Sequence, residues 1–116
     1  LLRFLPEGRT VFEFDERMAS FKALGHAKGS QSPVAVCTTS GTAVSECVSA
    51  MLEAKYSNTP LVLLSGDRPK KMHGTGAPQT IEHDPVTLGC RGSYIEVPLS
   101  ELPDLDVENP TYPLHI

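Results

Sequence analysis

Two continuous runs of apolar residues dominate the hydrophobic pattern of the chain. They are VAVCTT at 34–39 and LVLLS at 61–65, and neither alternates with polar residues. Runs of this kind are typical of strands that are buried on both faces, as in a parallel sheet covered by helices. Shorter apolar runs at 11–14 and 94–98, and the final PLHI, predict three further strands.

Helical patterns fill the two segments between the first three predicted strands. The first helix is predicted over about 15–28, with Gly29 as its stop, and the second over about 41–56. Thr39 or Ser40 is expected to cap the second helix. Strand, helix, strand, helix, strand is a βαβ series. It predicts an α/β fold, a three-layer α/β/α sandwich with a mainly parallel sheet.

The pattern changes after the second apolar run. Residues 66–80, GDRPKKMHGTGAPQT, predict a long loop with turn chemistry, and long loops in compact α/β domains are usually functional. A short helix is predicted within 80–89, interrupted near Pro85. The segment 99–112 is polar and shows no convincing helical stripe.

Polar residues follow three of the predicted strands. They are Asp15-Glu16-Arg17, TTSGT at 38–42, and the loop at 66–80. Ligands in open α/β sheets bind outside the carboxyl ends of the strands, so we expect these stretches to share one edge of the sheet. That convergence predicts a binding site there.

Each of these features also has a purely structural interpretation. Asp15 and Glu16 suit a helix N-terminus, as a cap and a first-turn carboxylate. Arg68 suits a surface pair with Asp67, which contributes little to stability. TTSGT offers helix N–H groups to an anion or polar ring, but capping explains it equally well. The histidines lack metal-ligand spacing and are expected to be structural or at the surface: His26, His73, His83 and His115.

Composition narrows the class of protein. The chain has 116 residues, 40% hydrophobic and 21% charged, which suits one folded domain. A net charge of −4 argues against a non-specific nucleic-acid binder, and no apolar run is long enough to span a membrane. The three cysteines are odd in number and include no C-x-x-C, so we expect a reduced, cytoplasmic protein without a metal site.

The ends of the sequence bear on its completeness. The first residue is not Met, and the chain opens on apolar residues and closes on the strand-like YPLHI. We interpret it as a piece of a longer protein.

The order of the motifs is more specific than any one of them. FDER at 14–17 is followed by PVAV at 33–36, TSGTAV at 39–44, LLSGDRP at 63–69 and GAPQ at 76–79. In this order they resemble the pyrimidine-binding (Pyr) domain of thiamine-diphosphate enzymes. Within that family the resemblance is strongest to the branch that works in menaquinone biosynthesis. It extends over about residues 11–82.

The resemblance assigns cofactor and substrate roles. It makes Glu16 the catalytic acid that hydrogen-bonds N1′ of the aminopyrimidine of thiamine diphosphate, and it adds cofactor contacts from Thr39, Ser40 and Gly41. It makes Arg68 and Gln79 contacts of the carboxylate substrates, 2-oxoglutarate and isochorismate. An Arg fork suits a carboxylate. Pro78 stands where many members have Asn, so one side-chain contact is absent.

The resemblance also implies that residues 1–116 are one Pyr-type domain that is incomplete at its N-terminus. The family's first strand and a Gly-Ser-Arg loop would precede residue 1. Mg²⁺ and the diphosphate would be held by a PP domain of a second subunit, in a homodimer or homotetramer. The central and PP domains are absent from this sequence, so the chain alone is expected to be inactive.

Other functions remain open at this stage. The chain could be the Pyr domain of another 2-oxo-acid enzyme, such as an acetolactate synthase or a decarboxylase. It could also be a non-catalytic flavodoxin-like or receiver-like binding domain, with Asp67 as a phosphorylation site. No later strand ends in the lysine that a receiver needs.

Overall fold

A computed structural model describes residues 9–97 and the backbone of residues 114–115. That part of the chain forms three α-helices, one 3₁₀ turn and four strands. In chain order they are α1 (Glu16–Ser30), β1 (Val34–Thr38), α2 (Thr42–Tyr56), β2 (Leu61–Gly66), the 3₁₀ turn (Lys70–Met72), α3 (His83–Thr87), β3 (Glu96–Val97) and β4 (Leu114–His115).

The two long strands pair in parallel, with α2 as the crossover. Their register runs from Val34 opposite Leu61 to Thr38 opposite Ser65. The strand order is β1-β2-β4-β3, and the two short strands pair antiparallel, β4 with β2 and β3 with β4. The α/β class and the parallel pairing of the two apolar runs are therefore confirmed. The sheet is parallel along its longest ladder and antiparallel beyond it.

Both long helices pack on one face of the sheet. Val36 of β1 forms a core cluster with Ala23 of α1 and Cys47 of α2, joined on the same face by Val34, Leu61 and Leu63. On the opposite face of the sheet, Ala35, Cys37 and Val62 are exposed to solvent in the described part of the chain. Two of the three predicted layers are thus present among these residues.

Small side chains let α1 and α2 approach each other closely. Ala27 and Ala50 are almost completely buried, as are Ser20 and Val44. The Ser20 hydroxyl donates to the Arg17 carbonyl within its own helix at 2.8 Å, so burial leaves it satisfied. Lys28 and Glu53 form an exposed ion pair between the helices at 2.7 Å, which contributes little beside the packing.

The predicted strand at 11–14 is wrong: these residues are not paired with any strand in the described structure. Val11, Phe12 and Phe14 are exposed instead. A strand exists only when a neighbour supplies ladder hydrogen bonds. β1 is the edge of the sheet, and no described segment pairs with its outer side. The apolar pattern alone cannot show whether that neighbour is present.

The helix termini differ from the prediction in informative ways. Gly29 lies inside α1, and the left-handed cap falls on Gln31, with φ of 53°. The N-cap of α2 is Gly41, without a side-chain cap, so the expected caps Thr39 and Ser40 are wrong. Pro85 lies within α3 and does not interrupt it. Proline is tolerated there because the first turn of a helix has no partner for its N–H groups.

The prediction for 99–112 lies outside the described residues. Of the last two predicted strands, the described parts are β3 and β4.

Candidate functional site

Glu16 is the first residue of α1. The preceding Asp15 has extended backbone and accepts the Met18 N–H at 2.6 Å, so Asp15 is the helix cap. The cap role is therefore taken, and the half-buried Glu16 carboxylate makes no hydrogen bond or ion pair among the described residues. A carboxyl group placed this way is available to a ligand.

Cys47 of α2 lies against the start of α1. Its thiol is 3.8 Å from the Glu16 carbonyl oxygen and 3.4 Å from that of Ala43. Burial raises the pKa of the Cys47 thiol to about 11, and the nearby Glu16 and Glu46 carboxylates act in the same direction. Cys47 is thus a neutral packing residue that fixes the Glu16 backbone on α2.

The turn Ser40-Gly41 leads from β1 into α2. Gly41 has φ of 78° and ψ of −139°, a conformation that is open essentially only to glycine. A Cβ at this position would stand 2.8 Å from Gln79 Cα. The Ser40 hydroxyl donates to the Gln79 carbonyl at 2.9 Å. The backbone of Gln79 is therefore seated on the start of α2.

His83 holds the same turn from the other side. The Gly41 N–H donates to His83 Nε2 at 3.0 Å, and the His83 side chain is almost completely buried. His83 is the first residue of α3 and ends the loop that follows β2. We call residues 67–83 the 67–83 loop. It contacts the Ser40-Gly41 turn through both Gln79 and His83.

A buried carboxylate lies behind His83. Asp67 is 6% exposed and follows β2 directly. Its Oδ1 lies 3.8 Å from His83 Nδ1 and accepts the Arg68 N–H at 2.7 Å, and its Oδ2 lies 3.3 Å from His73 Nε2. A receiver-type phosphorylation site needs an accessible aspartate, so this burial argues against that alternative.

His73 bridges two carboxylates. Its Nδ1 lies 3.0 Å from Glu82 Oε1, and its Nε2 lies 3.1 Å from the Arg68 carbonyl oxygen. The hydrogen bond to Glu82 raises the pKa of His73, with the Arg68 carbonyl and Asp67 adding to the rise and burial opposing it. We call Asp67, His73, Glu82 and His83 the Asp67 cluster. The sequence predicts that its histidines are structural or at the surface, and it gives no sign that they meet around Asp67.

The structure brings some of the six predicted site residues together and leaves others without a direct contact to them. Ser40, Gly41 and Gln79 are in contact. Arg68 adjoins Asp67 in the cluster that reaches Gly41 through His83, so it belongs to the same neighbourhood. Glu16 contacts Cys47 of α2, and it makes no hydrogen bond or ion pair with these residues in the described part of the chain. Thr39 is exposed beside the turn.

A buried hydroxyl group without a hydrogen-bond partner lies at the carboxyl end of β1. Thr38 Oγ1 is buried and has no hydrogen-bond partner among the described residues. A buried hydroxyl without a partner costs free energy, which a polar ligand would recover. Thr38, the Glu16 carboxylate and the Ser40-Gly41 turn supply donors and acceptors of the kind that a polar ring needs. In donor and acceptor type, the Thr38 hydroxyl and the Glu16 carboxylate suit the nitrogens of an aminopyrimidine.

Exposed apolar side chains surround the start of α1. Phe14 is fully exposed, Met18 is 53% and Phe21 45% exposed, and Val11 and Phe12 precede them. We call these five residues the apolar strip. Contiguous exposed aromatic residues typically mark an interaction surface. These side chains therefore offer an apolar surface beside the start of α1.

A cavity of about 590 Å³ lies between α2, β2 and residues 83–95. Apolar side chains form much of its wall, and the Arg91 guanidinium lies 5.0 Å from the Tyr94 ring centroid. None of the predicted site residues lines this cavity. His83, which holds the Ser40-Gly41 turn, also lines this cavity, so the cavity adjoins the residues at the strand ends.

Among residues 9–97, no group of three or more His, Cys, Asp or Glu side chains is arranged to hold a metal ion. The described helices are also too short or too polar to cross a bilayer. The three cysteines are free thiols.

Comparison with protein families identifies the class. Residues 2–88 match the family described as thiamine pyrophosphate enzyme, N-terminal TPP binding domain; thiamine pyrophosphate is another name for thiamine diphosphate. The match covers most of the chain, and the chain belongs to this family. The expected family and α/β fold are confirmed.

Individual relatives narrow the similarity further. The chain is 63% identical over 74 residues to the 2-succinyl-5-enolpyruvyl-6-hydroxy-3-cyclohexene-1-carboxylate synthase of Corynebacterium diphtheriae, covering 64% of the chain and 14% of that relative. It is 50% identical over 96 residues to the Bdellovibrio bacteriovorus enzyme of that name, and this alignment covers 83% of the chain and 17% of the relative. It is 43% identical over 108 residues to the Paenarthrobacter aurescens enzyme of the same name, and this alignment covers 90% of the chain and 18% of the relative. The chain thus spans less than a fifth of these relatives.

Proposed function

We propose that this chain forms the pyrimidine half of a thiamine-diphosphate site in a synthase of menaquinone biosynthesis. The complete enzyme would decarboxylate 2-oxoglutarate and add the remaining four-carbon unit to isochorismate. The observation that carries the proposal is the Glu16 carboxylate: Asp15 already caps α1, and Glu16 has no hydrogen-bond or ion-pair partner in the described structure. The names of the relatives support the choice of reaction.

Glu16 would act as an acid that shares a proton with a ring nitrogen. Its carboxyl group would hold that proton at the oxygen facing N1′ of the aminopyrimidine. When bound, thiamine diphosphate supplies the carbon nucleophile and electron sink for 2-oxo-acid cleavage. Proton transfer by a positioned carboxyl group typically contributes about 10² to 10⁴ in rate. The Cys47 contact would keep the Glu16 backbone in place.

The turn at the start of α2 would orient the ring. Thr39, Ser40 and Gly41 would contact it, together with the unpartnered Thr38 hydroxyl. Gly41 permits this arrangement because its missing side chain lets Gln79 close against the turn. Thr38 was not among the residues predicted from the sequence.

Arg68 and Gln79 would recognise the carboxylates of the substrates. Both belong to the 67–83 loop, and Gln79 has a left-handed backbone, with φ of 56°. Its carbonyl accepts the Ser40 hydroxyl, and its side chain is exposed. Arg68 would provide a planar pair of donors for a carboxylate.

The remainder of the site would come from a partner. A PP domain of a second subunit would hold Mg²⁺ and the diphosphate, in a homodimer or homotetramer within the cytoplasm. The apolar strip beside Glu16 supports this arrangement, because it offers a surface for a second domain next to the proposed acid. Residues 1–116 would then be a single Pyr-type domain that is inactive alone.

A chimaera tests the proposal. Residues 9–97 of this chain replace the matching segment of the Corynebacterium diphtheriae synthase, and product formation is measured with thiamine diphosphate and Mg²⁺ in excess. We expect the chimaera to be active and Glu16→Gln to lower kcat by about 100-fold or more. Glu53→Gln is the control, since Glu53 forms an exposed ion pair with Lys28. Full activity of the Glu16→Gln chimaera, or a folded but inactive parent chimaera, would overturn the proposal.

A further inference from the structure

The hydrogen bond between Gly41 and His83 fixes the protonation state of the imidazole. A backbone N–H can only donate, so His83 Nε2, 3.0 Å away, must carry a free lone pair. A doubly protonated imidazolium has no lone pair and cannot accept this bond. The contact therefore exists only while His83 is neutral at Nε2.

The second nitrogen of His83 faces Asp67. Because Nε2 accepts from Gly41, the neutral ring carries its proton at Nδ1, which lies 3.8 Å from Asp67 Oδ1. The negative charge of Asp67 favours this tautomer, because it places the ring proton on the side of the carboxylate. Asp67, His83 and Gly41 form a chain from the end of β2 to the start of α2.

The contacts of His73 favour the opposite protonation state, a doubly protonated ring. Each of its nitrogens faces an oxygen acceptor, Glu82 Oε1 on one side and the Arg68 carbonyl and Asp67 Oδ2 on the other. Both nitrogens can donate only when His73 is protonated. His73 is thus suited to balance the charge of Asp67 as a cation, while His83 stays neutral.

The other charged groups near His83 lie on α3, on its flanks and just after β2, and the Tyr94 hydroxyl is a further titratable group in the cavity that His83 lines. Asp84 adjoins His83 and pairs with Arg91, which lies beyond α3. Arg68 adjoins Asp67, and Glu82 immediately precedes His83. On the side of β1 and α2, His83 meets the Gly41 amide, which carries no titratable group.

We propose that His83 is a positioning residue of the candidate cofactor site. As a neutral imidazole it holds the Gly41 amide and keeps the Ser40-Gly41 turn in its binding conformation. Protonation of His83 in acid removes the acceptor and releases the turn, which lowers the affinity for thiamine diphosphate. The effect on the cofactor rests on the proposed function, whereas the effect on the turn does not.

The remaining contacts of the turn explain why one hydrogen bond would matter. Ser40 and Gly41 also contact Gln79, but that contact involves only the Ser40 hydroxyl and backbone atoms. It does not titrate between about pH 5 and pH 8, whereas histidine does. His83 is therefore the contact of the turn that an acid pH would break.

The first test measures the turn in this chain by NMR, without cofactor. The Gly41 amide shift and its hydrogen exchange are followed from about pH 8 to about pH 5, the range in which histidine titrates. The ¹⁵N shifts of His83 report its tautomer. We expect a neutral ring protonated at Nδ1, and a Gly41 amide that loses its protection as His83 becomes protonated.

Two substitutions separate this role from packing. His83→Gln keeps an acceptor near Gly41 that does not titrate, so its Gly41 amide should stay protected throughout. His83→Leu removes the acceptor and should leave the amide unprotected at every pH. A His83 protonated at Nε2, or a Gly41 amide in the unsubstituted chain that ignores the titration of His83, would overturn the proposal even if His83→Leu fails to fold.

The second test measures the affinity for thiamine diphosphate by calorimetry, in the chimaera described above. Between about pH 8 and pH 5.5 the unsubstituted chimaera should lose about tenfold more affinity than His83→Gln, the size expected for one hydrogen bond. Identical pH profiles would overturn the positioning role. No binding at any pH in a folded chimaera would contradict the proposed function and the cofactor effect of His83, while the NMR result would still decide its role in the turn.

Discussion

Gly41 and Gln79 pack so closely that a Cβ on Gly41 would stand 2.8 Å from the Cα of Gln79. The contact joins the start of α2 to the 67–83 loop, and the Ser40 hydroxyl strengthens it by donating to the Gln79 carbonyl. Because the neighbour is backbone, no rotation of a side chain can relieve a collision. The closeness of these two residues makes the fold sensitive to any substitution of Gly41.

We expect Gly41→Ala to lower the free energy of unfolding by about 3 kcal/mol or more, because a strained backbone and a clash in a packed site add together. Gly74→Ala is the matched control. Gly74 also has a positive φ, of 71°, but a Cβ there meets nothing within 4 Å. It should lose only about 1 kcal/mol. Urea denaturation of both variants checks this, and equal losses would show that the Gln79 contact is unimportant.

His73 should make stability depend on pH. The pKa of His73 is raised in the folded chain above 6.5, so its contribution is complete below pH 6.5 and is lost as pH rises through the folded-state pKa. We expect the unfolding free energy to fall across that rise, and His73→Gln to remove this dependence. His26→Gln is the control, since His26 is exposed. Denaturation series at several pH values measure the effect, and an unchanged pH profile in His73→Gln would contradict it.

Arg68→Lys should weaken substrate binding in the chimaera. Lysine keeps the charge but loses the planar pair of donors, so KM for the carboxylate substrates should rise about tenfold with a smaller change in kcat. Lys71→Gln is the control, because Lys71 is an exposed cation of the same loop. Steady-state kinetics with each substrate varied in turn measure both constants. An unchanged KM for both substrates would remove Arg68 from the site.

The apolar strip should drive association. A double substitution, Phe14→Ser with Phe21→Ser, should reduce self-association of the chain in analytical ultracentrifugation, because it removes exposed aromatic surface. Tyr56→Ser is the control, since Tyr56 is 79% exposed at the far end of α2. An unsubstituted chain that stays monomeric at high concentration would count against the strip as an interface.

The sequence predicts best what depends on local pattern. The two apolar runs pair in parallel as expected, and Asp15 caps α1, because burial and capping leave direct marks in the order of residues. The strand at 11–14 was wrong because a strand depends on a neighbour that the pattern does not reveal. Gly29 was wrong as a stop because Gln31 adopts the left-handed conformation instead.

The sequence also predicts part of the grouping of polar residues at the strand ends. Ser40, Gly41 and Gln79 come together as expected for residues at one edge of the sheet. His83 was missed because its importance comes from tertiary contacts with Gly41 and Asp67, which lie 42 and 16 positions away in sequence. The signal that could have revealed His83 is its place in the 67–83 loop, whose polar residues can reach that edge of the sheet; metal-ligand spacing does not reveal it.

The two acids at the start of α1 should separate cleanly into a stability role and a ligand role. Asp15 accepts the Met18 N–H, so Asp15→Ala should lower the unfolding free energy by about 1 kcal/mol. Glu16 makes no hydrogen bond or ion pair among the described residues, so Glu16→Gln should change stability by less than about 0.5 kcal/mol. Urea denaturation of the two single variants checks both values. A Glu16→Gln loss as large as that of Asp15→Ala would mean that Glu16 is a second structural acid of the helix terminus, and the argument for its proton-sharing role would lose its basis.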